Sequence, residues 1–336
     1  MASKILLAVL AVVAVAAALV VLLYSYSIYS GIGFLLNPPE GLSVGYILLI
    51  AFILGILHGI TPDEHTWPIT FSYAVGSYST KKGMKAGFTF SAGFTMQRAL
   101  LTTLGFVGLA AIYKAYDLNG PVYIAVGVAM LVAGAYVLNR MRDLHIPFDL
   151  LLGGKSHHST KSAIMHVHER EREIPARMAL VHGLIAGFGF GAYATIITFV
   201  LAPQVPGIIY APLVGAAFGI GTMVLQVAFG AIFATLAKTK KISDKEVAAI
   251  GRKTAGNTLF YGGIAFAAIG ALIIMFPLVD GLAISTGNPI PNLDSVSVAT
   301  FLVIFVVGVI GFGSLASAMR AAMRKPNSRK PGGRRG

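Results

Sequence analysis

Residues 42–76 read LSVGYILLIAFILGILHGITPDEHTWPITFSYAVG, and their reading decides the fold. The part 42–60 is an apolar run close to the roughly 20 residues that carry a helix across a bilayer. Its continuation holds His58, Asp63, Glu64 and His65 within eight residues. Thr61-Pro62-Asp63-Glu64 has the form of a helix start, with Thr as N-cap, Pro in first position and Glu closing a capping box. Gly59 suits the end of a preceding helix. The spacing therefore predicts a helix broken near 59–61, with His58 at the end of one helix and Asp63, Glu64 and His65 in the first turn of the next. A break leaves free backbone groups, which membrane depth tolerates only inside protein or beside water.

The rest of the chain fits that environment. Of its 336 residues 56% are hydrophobic and only 12% charged, against about 25% charged in soluble domains. That composition excludes a water-soluble globule and a disordered chain. The absence of cysteine excludes disulfide scaffolds, thiolate metal sites and iron–sulfur clusters. Eight apolar segments stand out, at about 5–29, 42–60 (continuing toward 76), 86–112, 121–139, 177–201, 208–237, 255–279 and 296–319. They are too long for barrel strands and lack period-2 alternation. Lys4 and Ala16–Ala18 imitate a signal peptide, but the first run continues well past them, so a retained helix is expected. The expected fold is an all-α polytopic membrane domain over 1–320 with about eight transmembrane helices, followed by a basic tail at 321–336.

The net charge of +13 does not point to nucleic acid, because its placement follows the spans. Lys4, the group Lys81, Lys82 and Lys85, seven basic residues from Arg140 to Arg177, six from Lys238 to Lys253 and seven from Arg320 to Arg335 all fall in alternate connections. The opposite connections hold Lys114 alone, and Arg98 lies within the third span. With eight crossings this bias places both termini in the cytosol of a multi-pass cell-membrane protein. The tail reads as a solvated extension facing lipid headgroups.

The chain also suggests an internal repeat. Ile56-Leu57-His58-Gly59-Ile60 resembles Leu180-Val181-His182-Gly183-Leu184. Each is followed by a Thr-Met pair with a nearby Gln (Thr95-Met96-Gln97; Thr222-Met223 with Gln226) and then by a glycine-bearing span (Gly127 and Gly134; Gly263 and Gly270). Three spans per repeat force opposite orientations, so a 3+3 inverted repeat with a broken second helix is the expected arrangement.

Charges near a bilayer centre cost at least about 2.5 kcal/mol each, so they need partners or a cavity. Two imidazoles and two acids at a helix break can converge on a divalent cation; the competing reading is acids that serve a helix dipole and histidines that merely pack. Arg98 is expected to counter Asp63 or Glu64. Gln97 and Gln226 can supply amide ligands or support them, or join helices. His182, followed by Gly187, Gly189 and Gly191, is a further candidate ligand on a flexible or close-packed segment facing the site. Imidazole with carboxylate favours Ni, Co, Cu, Zn or Fe over Mg or Ca, while Met96 and Met223 read as packing. In the polar loop 140–176, His145, His157, His158, His166 and His168 suggest a cytosolic metal buffer.

The run His58, four residues, Asp63, Glu64, His65 resembles the nickel/cobalt transporter family, whose signature is a His, four residues and Asp-His on the second membrane helix. Here Glu64 stands between the last two. Eight spans, cytosolic termini and a histidine-rich loop resemble that family too. The resemblance implies His58, Asp63 and His65 as ligands to Ni²⁺ or Co²⁺, carried as cargo rather than held as a resident cofactor. The expected activity is secondary transport of such a cation and not an enzymatic reaction, with Glu64 and Arg98 balancing charge. A membrane-embedded metalloenzyme, and a proton-coupled exporter of an organic solute that uses His58 and Asp63 for protons, stand as alternatives.

Overall fold

The computed structural model describes residues 26–109, 118–141, 176–236, 238 and 242–324. These are mostly helical: α1 (Tyr26–Leu36), α2 (Val44–Ile60), α3 (Trp67–Ser77), α4 (Thr80–Phe106), α5 (Asn119–Met141), α6 (Ala176–Ala186), α7 (Ala192–Gln204), α8 (Ala211–Phe233), α9 (Asp244–Met275) and α10 (Val298–Arg324). A π-helical stretch widens α7 over Ile196–Leu201 and α10 over Ile304–Phe312. Among the described residues four helices, α5, α8, α9 and α10, are long and apolar enough to cross a membrane. The first apolar segment up to residue 25, the loop with His145, His157, His158, His166 and His168, and the tail beyond 324 lie outside the described residues.

Several expectations change. The chain is not purely α: β1 (Ala283–Ser285) and β2 (Ser295–Ser297) form an antiparallel hairpin between α9 and α10, with Ala283 opposite Ser297. Helix α4 begins at Thr80 rather than near 86, because the Ser79 hydroxyl accepts from the Lys82 N–H. Helix α9 begins at Asp244 rather than near 255. Ser243 and Glu246 close a capping box there, so Lys245, Arg252 and Lys253 ride on a helix, not in a loop. The fifth apolar segment is two helices, α6 and α7, parted over 187–191.

Glycines decide how the helices pair, as is common where backbones approach without a hydrophobic drive between helices. The second apolar segment is one broken run along α8 in the same sense. Gly55 abuts the Phe218 backbone, Gly59 meets Thr222 and Leu225, the Trp67 ring packs on Phe229, and Phe71 packs on Phe233. Helix α4 runs antiparallel to α8, with Gly83 against Gly230, Gly87 against Gln226 and Thr95 against Gly219. Helix α6 runs with α4, placing Gly183 on Phe90 and Gly187 on Gln97. Helices α5 and α9 are antiparallel through Gly127 and Gly263, and α10 returns along α9, where Asn257 Nδ2 donates to Ser314 Oγ at 2.9 Å.

These contacts come in matched sets. Gly55 meets Phe218 and Gly221 meets Phe52; Gly183 meets Phe90 and Gly93 meets Leu180. The contacts of positions 52, 55, 90 and 93 thus mirror those of 180, 183, 218 and 221, each pair 128 residues apart. That register differs by one helical turn from the match of Ile56–Ile60 with Leu180–Leu184 read in the sequence. Aligned by these contacts, His182 falls opposite Leu54 rather than His58.

A methyl group at Gly55 or Gly183 has no room beside the facing carbonyl. Gly55→Ala and Gly183→Ala are each expected to cost about 1–3 kcal/mol, read as a lower unfolding temperature in detergent. Gly45→Ala, where nothing lies within 4 Å of the added carbon, is expected to lose nothing.

Candidate metal centre

The site begins where α2 ends. Proline disfavours helical backbone in the residue before it, and Thr61, preceding Pro62, is extended at φ −77° and ψ 145°. Its N–H and its hydroxyl both turn back to the Leu57 carbonyl, at 3.0 and 2.9 Å. Thr61 therefore closes α2 and does not open the next helix. The expected capping box at Thr61 and Glu64 does not form. Helix α3 starts at Trp67, with Pro68 in its first turn and Thr66 as N-cap. The Thr66-Trp67-Pro68 placement prevails over Thr61-Pro62 because the chain between them is used for a turn. Asp63 Oδ1 accepts from the His65 N–H at 3.1 Å, and the Asp63 carbonyl accepts from the Trp67 N–H at 3.0 Å.

That turn gathers the polar groups. One ligand atom from each of Asp63, Glu64 and His65 lies within 4.8 Å of the others. Glu64 Oε1 is 3.0 Å from His65 Nδ1 and accepts from the Tyr123 hydroxyl at 3.1 Å. His58 joins from the last turn of α2, its Nδ1 3.8 Å from Asp63 Oδ2. Asp63 and His65 are only 7% and 8% exposed. His58 Nε2 and His65 Nε2 are buried without a hydrogen-bond partner, a condition that a ligand would relieve.

Aromatic rings wall the site. His58 is bracketed by Phe94, Phe218 and Tyr193 at ring separations of 5.3–5.6 Å. His65 stacks on Tyr123 at 5.1 Å. The second helix break lies directly against the first, since a side-chain carbon at Gly189 would sit 2.8 Å from the His65 ring. Only glycine admits that imidazole.

The supporting residues are placed as follows. Arg98 is buried on α4; its Nη2 donates to the Gly189 carbonyl at 2.9 Å, and its guanidinium lies over the Phe94 ring at 4.7 Å. It therefore ties the second break to α4. Gln97, also on α4, abuts Gly187, and neither polar atom of its amide has a partner. The Gln226 amide on α8 is likewise buried and unbonded. His182 is not gathered into the group: its Nδ1 meets the Tyr73 hydroxyl at 2.6 Å and the Met178 carbonyl at 3.0 Å, while Nε2 has no partner. The sequence reading missed Tyr123, Tyr193 and Gly189. Nothing in local spacing marks the tyrosines; Gly189 was visible only as one of three closely spaced glycines.

Two carboxylates and one or two imidazoles make a mixed oxygen and nitrogen donor set, suited to borderline divalent cations such as Ni²⁺, Co²⁺ or Zn²⁺. The wall of aromatic and aliphatic side chains limits water, which strengthens attraction between the acids and a cation. Comparison with known proteins does not extend this assignment: no protein-family model, no curated protein and no solved structure matches the chain.

Proposed function

We propose that this protein is a secondary transporter of a divalent transition-metal cation, with Ni²⁺ or Co²⁺ as the leading cargo. The observation that carries the reading is the convergence of Asp63, Glu64 and His65 within 4.8 Å at a buried helix break in a chain of apolar helices. Charged groups kept in such surroundings mark ion pathways by default, because their burial is costly without a functional return. Broken helices facing each other near the centre of a bundle are a recurrent way to expose ligands to a passing ion. The choice among metals rests on the donor set and on the resemblance of the His58–His65 run to nickel/cobalt transporters.

In this reading the ion exchanges its water for Asp63, Glu64 and His65, with His58 completing the shell from the end of α2. Arg98 offsets acidic charge nearby. The constant offset of 128 residues supports two inverted halves, α2–α5 and α6–α9, that rock about the site to alternate access. The run directions support eight membrane crossings when the first apolar segment is included, and the placement of basic residues supports cytosolic termini.

Calorimetry on purified protein is expected to find about one Ni²⁺ or Co²⁺ per chain. Asp63→Asn and His65→Ala are each expected to weaken it at least about 100-fold, and His58→Ala about tenfold. Unchanged affinity in all three, with unfolding temperatures held, rules the site out. Metal-dependent turnover without flux into liposomes would instead favour a metalloenzyme. Topology has its own check in a bacterial host: a fluorescent protein fused after Gly336 is expected to fluoresce, and alkaline phosphatase inserted at Gly287 is expected to be active. The reverse pattern overturns the orientation.

A further inference from the structure

A cavity of about 220 Å³ lies beside the metal centre and belongs to none of the features used so far. Its wall includes Glu64 and, from the segment between α9 and α10, Asn292, Asp294, Ser295 and Ser297, with Thr300 at the start of α10. Every one of these side chains offers oxygen, two are carboxylates, and none of the residues lining the cavity is cationic. Such a surface complements a cation and repels an anion. Counting about 30 Å³ per water, the space takes roughly seven waters, enough for a divalent ion with its first hydration shell.

The segment that builds the wall is ordered by its own bonds and reaches into the bundle. Thr286 N–H donates to the Asp294 carbonyl at 2.8 Å, and the Asn288 side chain accepts from the Ile290 N–H at 2.9 Å. Ile290 is fully buried. Asn292 takes a left-handed backbone at φ 67°, and its Nδ2 donates to Thr61 Oγ1 at 3.3 Å. Tyr193, which touches the His58 ring, donates its hydroxyl to the Pro291 carbonyl at 3.4 Å. The segment therefore contacts both helix breaks, Thr61 in one and Tyr193 just past the other. Glu64 belongs to both spaces: it lines the cavity, and its Oε1 touches His65 Nδ1.

We propose that this cavity is the non-cytosolic mouth of the transport path, a vestibule that collects a hydrated divalent cation between Asp294 and Glu64 and hands it to Asp63 and His65 through the shared Glu64 carboxylate. The inference rests on the transport reading and adds to it an entrance and a side. Asp294 is the recruiting charge: it is exposed at the rim, while Glu64 is held deeper by Tyr123 and His65. The bond from Asn292 to the Thr61 hydroxyl ties the mouth to the residue that closes α2, so movement at either end is felt at the other.

The chain contains no cysteine, so any introduced thiol is the single reactive one. Ser295→Cys, in the wall, and Ile284→Cys, exposed on β1 outside it, are reacted in intact cells with membrane-impermeant thiosulfonates of either charge. At Ser295→Cys the cationic reagent is expected to react about tenfold faster than the anionic one, and Asp294→Asn is expected to remove most of that preference. Saturating Ni²⁺ is expected to slow the reaction several-fold, and the modified protein is expected to lose Ni²⁺ flux into liposomes. Ile284→Cys is expected to show neither ion protection nor loss of flux. As a second variant, Asp294→Asn without any thiol is expected to raise the half-saturating Ni²⁺ concentration several-fold and leave calorimetric affinity at the inner site unchanged. Wild-type liposomes that carry neither Ni²⁺ nor Co²⁺ overturn the transport reading and the vestibule with it. Wild-type flux together with charge-indifferent, ion-indifferent labelling at Ser295→Cys, or with unchanged half-saturation in Asp294→Asn, overturns the vestibule alone.

Discussion

Burying a carboxylate among apolar helices is tolerable only when its charge is answered within a few ångströms. Asp63 and Glu64 impose that requirement on everything around them. His65 answers Glu64 at 3.0 Å, the Tyr123 hydroxyl answers it at 3.1 Å, and the His65 N–H answers Asp63 at 3.1 Å. Each of these partners needs a particular backbone. The turn after Pro62 presents the His65 N–H, α5 carries Tyr123 to the same depth, and the second helix break supplies the gap at Gly189 into which the imidazole fits. The architecture is thus arranged around one short polar turn.

The glycine contacts, together with the buried apolar clusters around them, explain how helices hold that turn. Backbone laid on backbone at Gly55, Gly93, Gly183 and Gly221 leaves little freedom for sliding. Within these paired segments hydrogen-bonded helix is interrupted at 61–66 and at 187–191. Those interruptions touch each other through Gly189 and His65. That contact couples the two, and the bond from Arg98 to the Gly189 carbonyl anchors the second break to α4.

Much of this was legible in the residues. Apolar length, the sparse charge and the lack of cysteine pointed to helices in a membrane, and the run His58–His65 announced both a break and a polar site. Helix boundaries were less legible where a serine cap outweighs hydropathy, as at Ser79 and Ser243, since a cap extends a helix into polar sequence. The start of α3 was misplaced because Thr61-Pro62 and Thr66-Trp67-Pro68 offer the same local signal, and only the Asp63 turn between them decides. Tyr123, Tyr193 and Asn292 reach the site from distant segments. No spacing rule reports a contact between residues 59 or more positions apart, which is the separation of Glu64 and Tyr123.

The matched contacts carry one more implication. At the offset of 128 residues, Asp63, Glu64 and His65 fall opposite Gly191, Ala192 and Tyr193. The two segments share matched glycine contacts but not their chemistry: one brings acids and an imidazole, while the other brings a hydrogen atom, a methyl group and a phenol. Under the proposed transport reading, this asymmetry predicts a single seat for cargo in each polypeptide. In that reading the segment around Gly191 needs to keep only its close-packed glycines and the gap at Gly189 that admits His65.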